Sequence, residues 1–213
     1  ARSAREPLAA NFYHFNHDID LNQHAVARQK QLLAASLGYK ADRTVDYGMT
    51  QGAEIQRTLF LLYGTTWSSK KWPLQYWQGL ADLVVKHGYR ILLPAGSAVE
   101  REIALRILGD RPGEVLFGKS ISELIEIIRR SAGAISVDTG LGHLAVALGV
   151  PVVGLYGATD PILTGVNGEA VEIIVSNDLP CIPCKKRVCS FRNVEDSSSI
   201  YPPCYTQITP ERV

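Results

Sequence analysis

Short, almost wholly apolar runs alternating with helix-forming stretches constrain this chain more than any other feature. The runs are Thr58–Tyr63, Tyr89–Leu93, Glu114–Phe117, Ala134–Val137, Val152–Tyr156 and Val171–Val175. Between them lie Pro73–His87, a stretch around Val99–Leu108, Ser120–Ser131 and Leu141–Leu148, each reading as a helix. A strand with one wet face alternates polar and apolar residues, whereas a strand apolar throughout is covered on both faces. Repeated βα units of this kind predict an α/β protein, a Rossmann-like parallel sheet with helices on both faces. Ser120 and Glu123 have the spacing of a capping box, which marks one helix start.

The flanks are less regular. Leu21 to Gly38 predicts an amphipathic helix with Ala25, Leu32, Leu33 and Leu37 as core positions and Gly38 as its stop. Residues 41–56 are polar and irregular. The chain therefore divides into a leading segment and helix, residues 1–56; a sheet domain, residues 57–177; and residues 178–213, which hold all four cysteines and then begin a helix. That last helix is announced by Thr209-Pro210-Glu211, an N-cap, a proline at the first helical position and an acid in the first turn. It stops at Val213, and the only methionine is Met49, so the chain reads as a piece of a longer protein.

Composition narrows the function classes. A hydrophobic content of 46% and a charged content of 20% are those of an ordinary soluble domain. A net charge of +1 without a basic stripe argues against a nucleic-acid partner. The apolar runs are far too short to span a bilayer, and Ala1–Glu6 leads into no signal-peptide core.

Ligands of open parallel sheets sit outside the C-terminal strand ends. Three of those ends carry Gly, Thr, Asp or Lys: Gly64–Pro73, Asp138–Leu144 and Gly157–Pro161. In Ser136-Val137-Asp138-Thr139-Gly140-Leu141-Gly142-His143-Leu144 a buried strand turns into a helix, whose first N–H groups and dipole favour an anion. Thr139, Gly140 and Gly142 keep that backbone open, and Asp138 can cap the helix or hold a ligand hydroxyl. Thr65 and Thr66 can donate hydrogen bonds to phosphate. Lys70 can add a full charge, with Lys71 as its rival. Glu100, or its neighbour Glu102, follows the turn Pro94–Ser97. A carboxylate there suits a ribose diol or simply complements the helix dipole. His143 reads either as a donor to phosphate or sugar or as a packed histidine. His14, His17 and His24 read as surface residues, and Asp160 as part of a turn. Trp67, Trp72 and Trp77 read as core or rim, with Trp67 alone placed to line a site.

Cys181-Ile182-Pro183-Cys184, with Cys189 and Cys204, is a compact set of four thiols. Free thiols, a tetrahedral zinc site and one or two disulfides are all compatible with the spacing. Lys185, Lys186, Arg187 and Arg192 make this stretch basic. It suits a solvated loop, or contact with an anionic acceptor or membrane surface.

The block Ser136–Leu148, the turn Tyr156–Pro161, Gly64-Thr65-Thr66 with Lys70 and Trp72-Pro73, and Ala4-Arg5-Glu6-Pro7-Leu8-Ala9 together resemble glycosyltransferase family 9. These are the ADP-heptose:lipopolysaccharide heptosyltransferases. The resemblance runs through nearly the whole chain and is most specific at Asp138–His143. It implies the C-terminal, donor-binding half of a two-domain GT-B enzyme that moves heptose from ADP-heptose to the lipopolysaccharide inner core with inversion. By resemblance, Thr65, Thr66 and Lys70 are phosphate-side residues, Asp138 and His143 belong to the donor site, and Glu100 stands at the ribose. The general base is an aspartate of the N-terminal domain, so no residue here takes that role, and this piece alone should bind nucleotide without transferring sugar. No cofactor is required for transfer; a structural zinc at the cysteines is the one candidate metal. Most of the lipid A core acceptor surface falls in the other domain. The expected location is cytoplasmic, peripheral on the inner membrane. A sugar-nucleotide epimerase of the same architecture and a non-enzymatic nucleotide- or metal-binding module are the competing readings.

Overall fold

The computed structural model describes residues 8–42, 44–176, 179–191 and 200–213. Backbone packing divides the chain into two units: residues 1–45 with 162–165, and residues 46–161 with 166–213.

The first unit is built on α1 (Ala25–Leu37). His24 caps it. Its Nδ1 accepts from the Val26 N–H at 3.3 Å while Nε2 lies 2.8 Å from the Gly165 carbonyl oxygen. The sequence placed His24 at the surface; its two ring nitrogens are instead used to start a helix, and it is half-buried. Gly38 ends the helix in the left-handed conformation, φ +73°, and returns its N–H to the Ala34 carbonyl. The expected core face is not the buried one. Ala34 is buried, whereas Leu32, Leu33 and Leu37 are exposed by 47%, 53% and 68%.

The second unit holds a six-stranded parallel sheet. In chain order its elements are β1 (Gln56–Leu62), α2 (Leu74–Lys86), β2 (Arg90–Ala95), α3 (Ala98–Leu108), β3 (Gly113–Phe117), α4 (Ile121–Ile128), β4 (Ser131–Val137), α5 (Gly140–Ala147), β5 (Val152–Tyr156) and β6 (Val171–Val175). A short helix, α6 (Pro161–Thr164), follows β5. The strand order is β3-β2-β1-β4-β5-β6, and every pairing is parallel. Alternation along β1 shows why the strands are apolar throughout. Leu61 packs with Trp77, Leu80 and Ala81 of α2 and with Ala104 and Ile107 of α3, while Phe60 and Leu62 pack with Leu124 and Ile128 of α4 and Ala145 and Val146 of α5. Each such buried side chain contributes about 1.5–3 kcal/mol relative to exposure.

The element boundaries differ from expectation in one informative place. α4 ends at Ile128 and β4 begins at Ser131, three residues before the apolar run. Ser131 is fully buried. It donates to the Ile127 carbonyl at 3.1 Å and lies 3.2 Å from Thr58 Oγ1 across the sheet, so a polar residue closes the helix and opens the strand. The capping box Ser120–Glu123 is present as read.

The stretch without period contributes to the core as well. Cys204, Tyr205 and Ile208 are buried among the residues that pack on α2. Thr209 begins a 3₁₀ turn, Pro210–Arg212, without a side-chain capping bond.

Candidate functional site

The strand order reverses between β1 and β4, and a crevice opens where their C-terminal ends diverge. A cavity of about 400 Å³ lies there, lined by Gly64, Thr65, Thr66, Lys70, Glu100, Asp138, Thr139, Gly140 and His143. Three separate chain segments supply these residues, one after each of β1, β2 and β4. Larger depressions exist elsewhere. One, of about 800 Å³, runs along the opposite, N-terminal edge of the sheet past Leu59, Ala134 and Val153, away from the strand ends where ligands of parallel sheets sit.

Of the residues assigned to the donor site by the resemblance or the turn itself, Gly142 is the one that does not line the cleft. It is buried beneath the turn, where a β-carbon would come within 2.3 Å of Ser136 Oγ. Its glycine identity serves close packing of α5 on β4 rather than access to a ligand. Gly140, in contrast, faces open space.

Lys70 and Asp138 form the electrostatic centre. Lys70 Nζ stands 2.7 Å from Asp138 Oδ2, with side chains 15% and 10% exposed. The ammonium also lies 4.4 Å from the centre of the Trp67 ring, which is where Trp67 makes its contribution, outside the cleft lining. Lys71 is exposed beyond the turn, and Glu102 is exposed on α3, so Lys70 and Glu100 are the members of each pair that reach the cleft.

Asp138 does not cap α5. The N-cap is Thr139, which makes no side-chain capping bond. The carboxylate turns instead toward Lys70, and its other oxygen lies 3.9 Å from His143 Nε2. The start of α5 is thus left without a side-chain cap, and Thr139 and Gly140 at that start line the cleft. Burial raises the Asp138 pKa, but His143, Lys70 and Thr159 together outweigh it and hold the carboxyl at about 2. Thr159 acts through proximity, since its buried Oγ1 makes no hydrogen bond of normal geometry.

A depressed carboxylate pKa stabilises the fold above the unfolded value and is lost as pH falls toward the folded one. Asp138 should therefore contribute about 1–2 kcal/mol above pH 4, discounted for its position at a wet cleft, and lose it between pH 4 and 2. In urea unfolding, Asp138→Asn is expected to be less stable than the native chain near neutrality, with the gap narrowing through that window. A gap independent of pH would contradict the pairing.

Glu100 is held from both sides. One oxygen accepts from the Gly96 N–H at 2.8 Å, and the Glu100 N–H donates to Ser97 Oγ at 3.2 Å. Tyr63 donates to the Glu100 carbonyl at 2.7 Å, fixing the backbone below. The other oxygen faces Gly64, where a β-carbon would come within 3.4 Å. Glu100 thus supports the helix start and also lines the cleft with its carboxylate.

Sequence reasoning missed the adjoining compartment. A cavity of about 240 Å³ shares Gly64, Glu100 and Thr139 with the cleft and is otherwise lined by Leu62, Pro94, Leu116, Ile121, Leu124 and Leu141, among others, with Lys119 at its rim. The signal was present but dispersed, as apolar residues at strand ends and in the first turns of the following helices.

The four cysteines are free thiols and all line one small cavity behind Ser69 and Gly157. Burial, with the neighbouring thiols adding, pushes the Cys204 thiol up to about 12. Among the described residues no three His, Cys, Asp or Glu side chains are grouped to hold a metal ion. A zinc there would require the thiols to turn toward one another. Lys185 pairs with Asp160 at 3.5 Å; Arg192 lies outside the described residues. Among the described residues, no helix is long and apolar enough to cross a membrane.

Comparison with known proteins bears on this geometry. Residues 1–195 match the model of glycosyltransferase family 9 (heptosyltransferase). Lipopolysaccharide heptosyltransferase 1 of Pseudomonas aeruginosa is 38% identical over 227 residues, covering 99% of this chain and 63% of that protein. The structure of Escherichia coli heptosyltransferase WaaC with ADP matches with a TM-score of 0.73 and 37% identity, covering 81% of this chain and 56% of the other. The same enzyme with ADP-2-deoxy-2-fluoro heptose matches at 0.71 and 33%, covering 86% and 61%. The chain thus spans between 56% and 63% of the length of these relatives. The parallel sheet, the crevice at its point of reversal and these likenesses agree: the fold is of the GT-B type, and the chain belongs to glycosyltransferase family 9, the heptosyltransferases.

Proposed function

We propose that this chain is the donor-nucleotide half of an inverting heptosyltransferase that takes heptose from ADP-heptose to the lipopolysaccharide inner core at the cytoplasmic face of the inner membrane. The observation that carries the reading is the junction at Glu100, where an apolar compartment meets a polar, cationic one. A nucleoside diphosphate has that sequence of parts. The flat base fits between Pro94, Leu116 and Leu141. The ribose diol meets the Glu100 carboxylate. The diphosphate meets Thr65, Thr66, Lys70 and the open N–H groups of α5. The sugar then falls beside Asp138 and His143, whose side chains accept or donate to hydroxyls. The ADP and ADP-sugar ligands named for the similar structures support a nucleotide-sugar occupant.

Transfer makes two demands: charge developing on the departing diphosphate must be stabilised, and the acceptor hydroxyl must lose a proton. Lys70 and the α5 terminus answer the first. The second has no good answer in this cleft. A carboxylate held at about 2 is a weak base at neutral pH, and Asp138 is already committed to Lys70. The base and most of the acceptor surface then belong to the remainder of a longer enzyme.

The expected outcome is weak ADP binding, on the order of 10 µM to 1 mM, with no sugar transfer. The check is to supply ADP-heptose and a heptose-free lipopolysaccharide core to the purified chain and follow product by mass spectrometry. Turnover by the chain alone would overturn the assignment of the base to another domain.

A further inference from the structure

Lys70 sits on a loop with little stability of its own. Ser68–Lys70 is a single 3₁₀ turn, its N-cap Trp67 makes no side-chain capping bond, and its internal bonds are Lys70 N–H to the Trp67 carbonyl and Lys71 N–H to that of Ser68. A lone turn of this kind does not hold its shape in water. The groups that hold it come from far along the chain. Tyr205, 1% exposed, donates its phenol O–H to the Lys70 carbonyl at 2.9 Å. Two residues on, the Trp72 indole N–H donates to the Ile208 carbonyl at 2.8 Å. On the other side of the turn, the Ser69 N–H and the Ser68 hydroxyl both reach the Arg187 carbonyl at 3.2 Å, and the buried Ser69 hydroxyl donates to the Lys186 carbonyl.

The same late segment holds the other turn that faces Asp138. The Lys185 N–H donates to the Ala158 carbonyl at 2.7 Å. The Tyr205 ring lies against Gly157, where a β-carbon would come within 3.2 Å of it. Tyr205 is therefore the buried point at which the Lys70 loop and the turn after β5 are joined.

We infer that Tyr205 is a positioning residue of the donor site, and that residues 185–187 and 205–208 together act as a strap which fixes the Lys70 ammonium between Asp138 and the incoming diphosphate. Tyr205 touches no ligand in this arrangement; it acts through the Lys70 backbone. With its hydroxyl in place, the short Lys70–Asp138 pair is preformed and the loop need not be ordered when the anion arrives. Without it, the aromatic ring can still fill the core, but the loop is free to shift.

The inference rests on the nucleotide-binding reading, and its test separates the two. ADP affinity of Tyr205→Phe is measured by calorimetry against the native chain, with Tyr76→Phe as the control. Tyr76 donates to the Thr206 carbonyl at 3.3 Å, so the control loosens the same strap away from the lysine. Tyr205→Phe is expected to bind ADP roughly threefold to tenfold more weakly, and Tyr76→Phe to bind as the native chain does. In a Lys70→Ala background the Tyr205 change should have no further effect, because a positioning residue has nothing left to position. A purely structural role would give additive losses, which would overturn the inference.

The second readout needs no nucleotide. The Asp138 carboxyl is followed by carbon NMR during acid titration, in a pocket where the facing groups are Lys70, His143, Thr159, Tyr156 and Tyr205. Tyr205→Phe should move its midpoint upward, in the direction of Lys70→Ala. An unmoved midpoint together with unchanged ADP affinity overturns the inference, while an upward shift in a chain that binds no ADP sinks the nucleotide reading and leaves the strap standing. Should Tyr205→Phe fail to fold, Ser69→Ala takes its place. It removes another hold on the same turn in a side chain 1% exposed, and the same two outcomes decide.

Discussion

Lys70→Ala is expected to weaken ADP binding about 10- to 150-fold. A charge-assisted contact to phosphate contributes roughly 1.5–3 kcal/mol. The structure adds a reason to expect the upper part of that range. Removing the ammonium also leaves the Asp138 carboxylate, 10% exposed, unneutralised beside the site of an incoming anion. The substitution therefore replaces an attraction by a repulsion. Asp138→Asn in the same background should recover part of the loss, since it removes the repulsion without restoring the attraction. Calorimetric titration of the three variants checks both statements; an unchanged dissociation constant for Lys70→Ala would exclude the contact.

Gly142→Ala should lower the melting temperature by roughly 2–12 °C, and Gly140→Ala by almost nothing. Both glycines lie in the first turn of α5, so helix propensity treats them alike. Their surroundings do not. A β-carbon at Gly142 would press to 2.3 Å from Ser136 Oγ and 3.0 Å from its β-carbon, on a strand residue with no room to retreat, whereas nothing lies within 4 Å at Gly140. Overpacking of this kind costs about 1–3 kcal/mol, and 1 kcal/mol corresponds to roughly 2–4 °C in a chain of this size. Scanning calorimetry of the pair distinguishes the packing role from a ligand-access role, under which Gly140 would be the sensitive position for binding alone.

The contrast between those glycines shows where the sequence could be read and where it could not. Period and apolarity revealed the sheet because strands covered on both faces leave no polar alternation; Phe60, Leu61 and Leu62 serve two different faces in succession. The polar residues of the cleft were legible because each follows directly on a strand end. What stayed hidden depends on distance in sequence. The partner of Lys70 lies 68 residues away at Asp138, and the phenol that fixes its backbone lies 135 residues away at Tyr205. No local pattern in Asp178–Pro203 or beyond signals that Cys204, Tyr205 and Ile208 are core. α1 erred in the opposite sense. Its leucines have the period of a buried face, yet the unit buries Ala34 and leaves Leu32, Leu33 and Leu37 exposed. Period reports amphipathicity and cannot say what lies against it.

The chain's central claim to function is that one continuous cleft takes a nucleoside diphosphate with its base in the apolar compartment and its phosphates at Lys70. Titration of the isotope-labelled chain with ADP, read residue by residue by amide NMR, tests it most directly. Saturable shifts confined to Gly64–Lys70, Gly96–Glu100, Thr139–His143 and the compartment around Leu116 and Leu141 are expected, with the shifts near Lys70 lost in Lys70→Ala. Shifts that fail to saturate, or that gather along the N-terminal edge of the sheet around Ala134 and Val153, would contradict it.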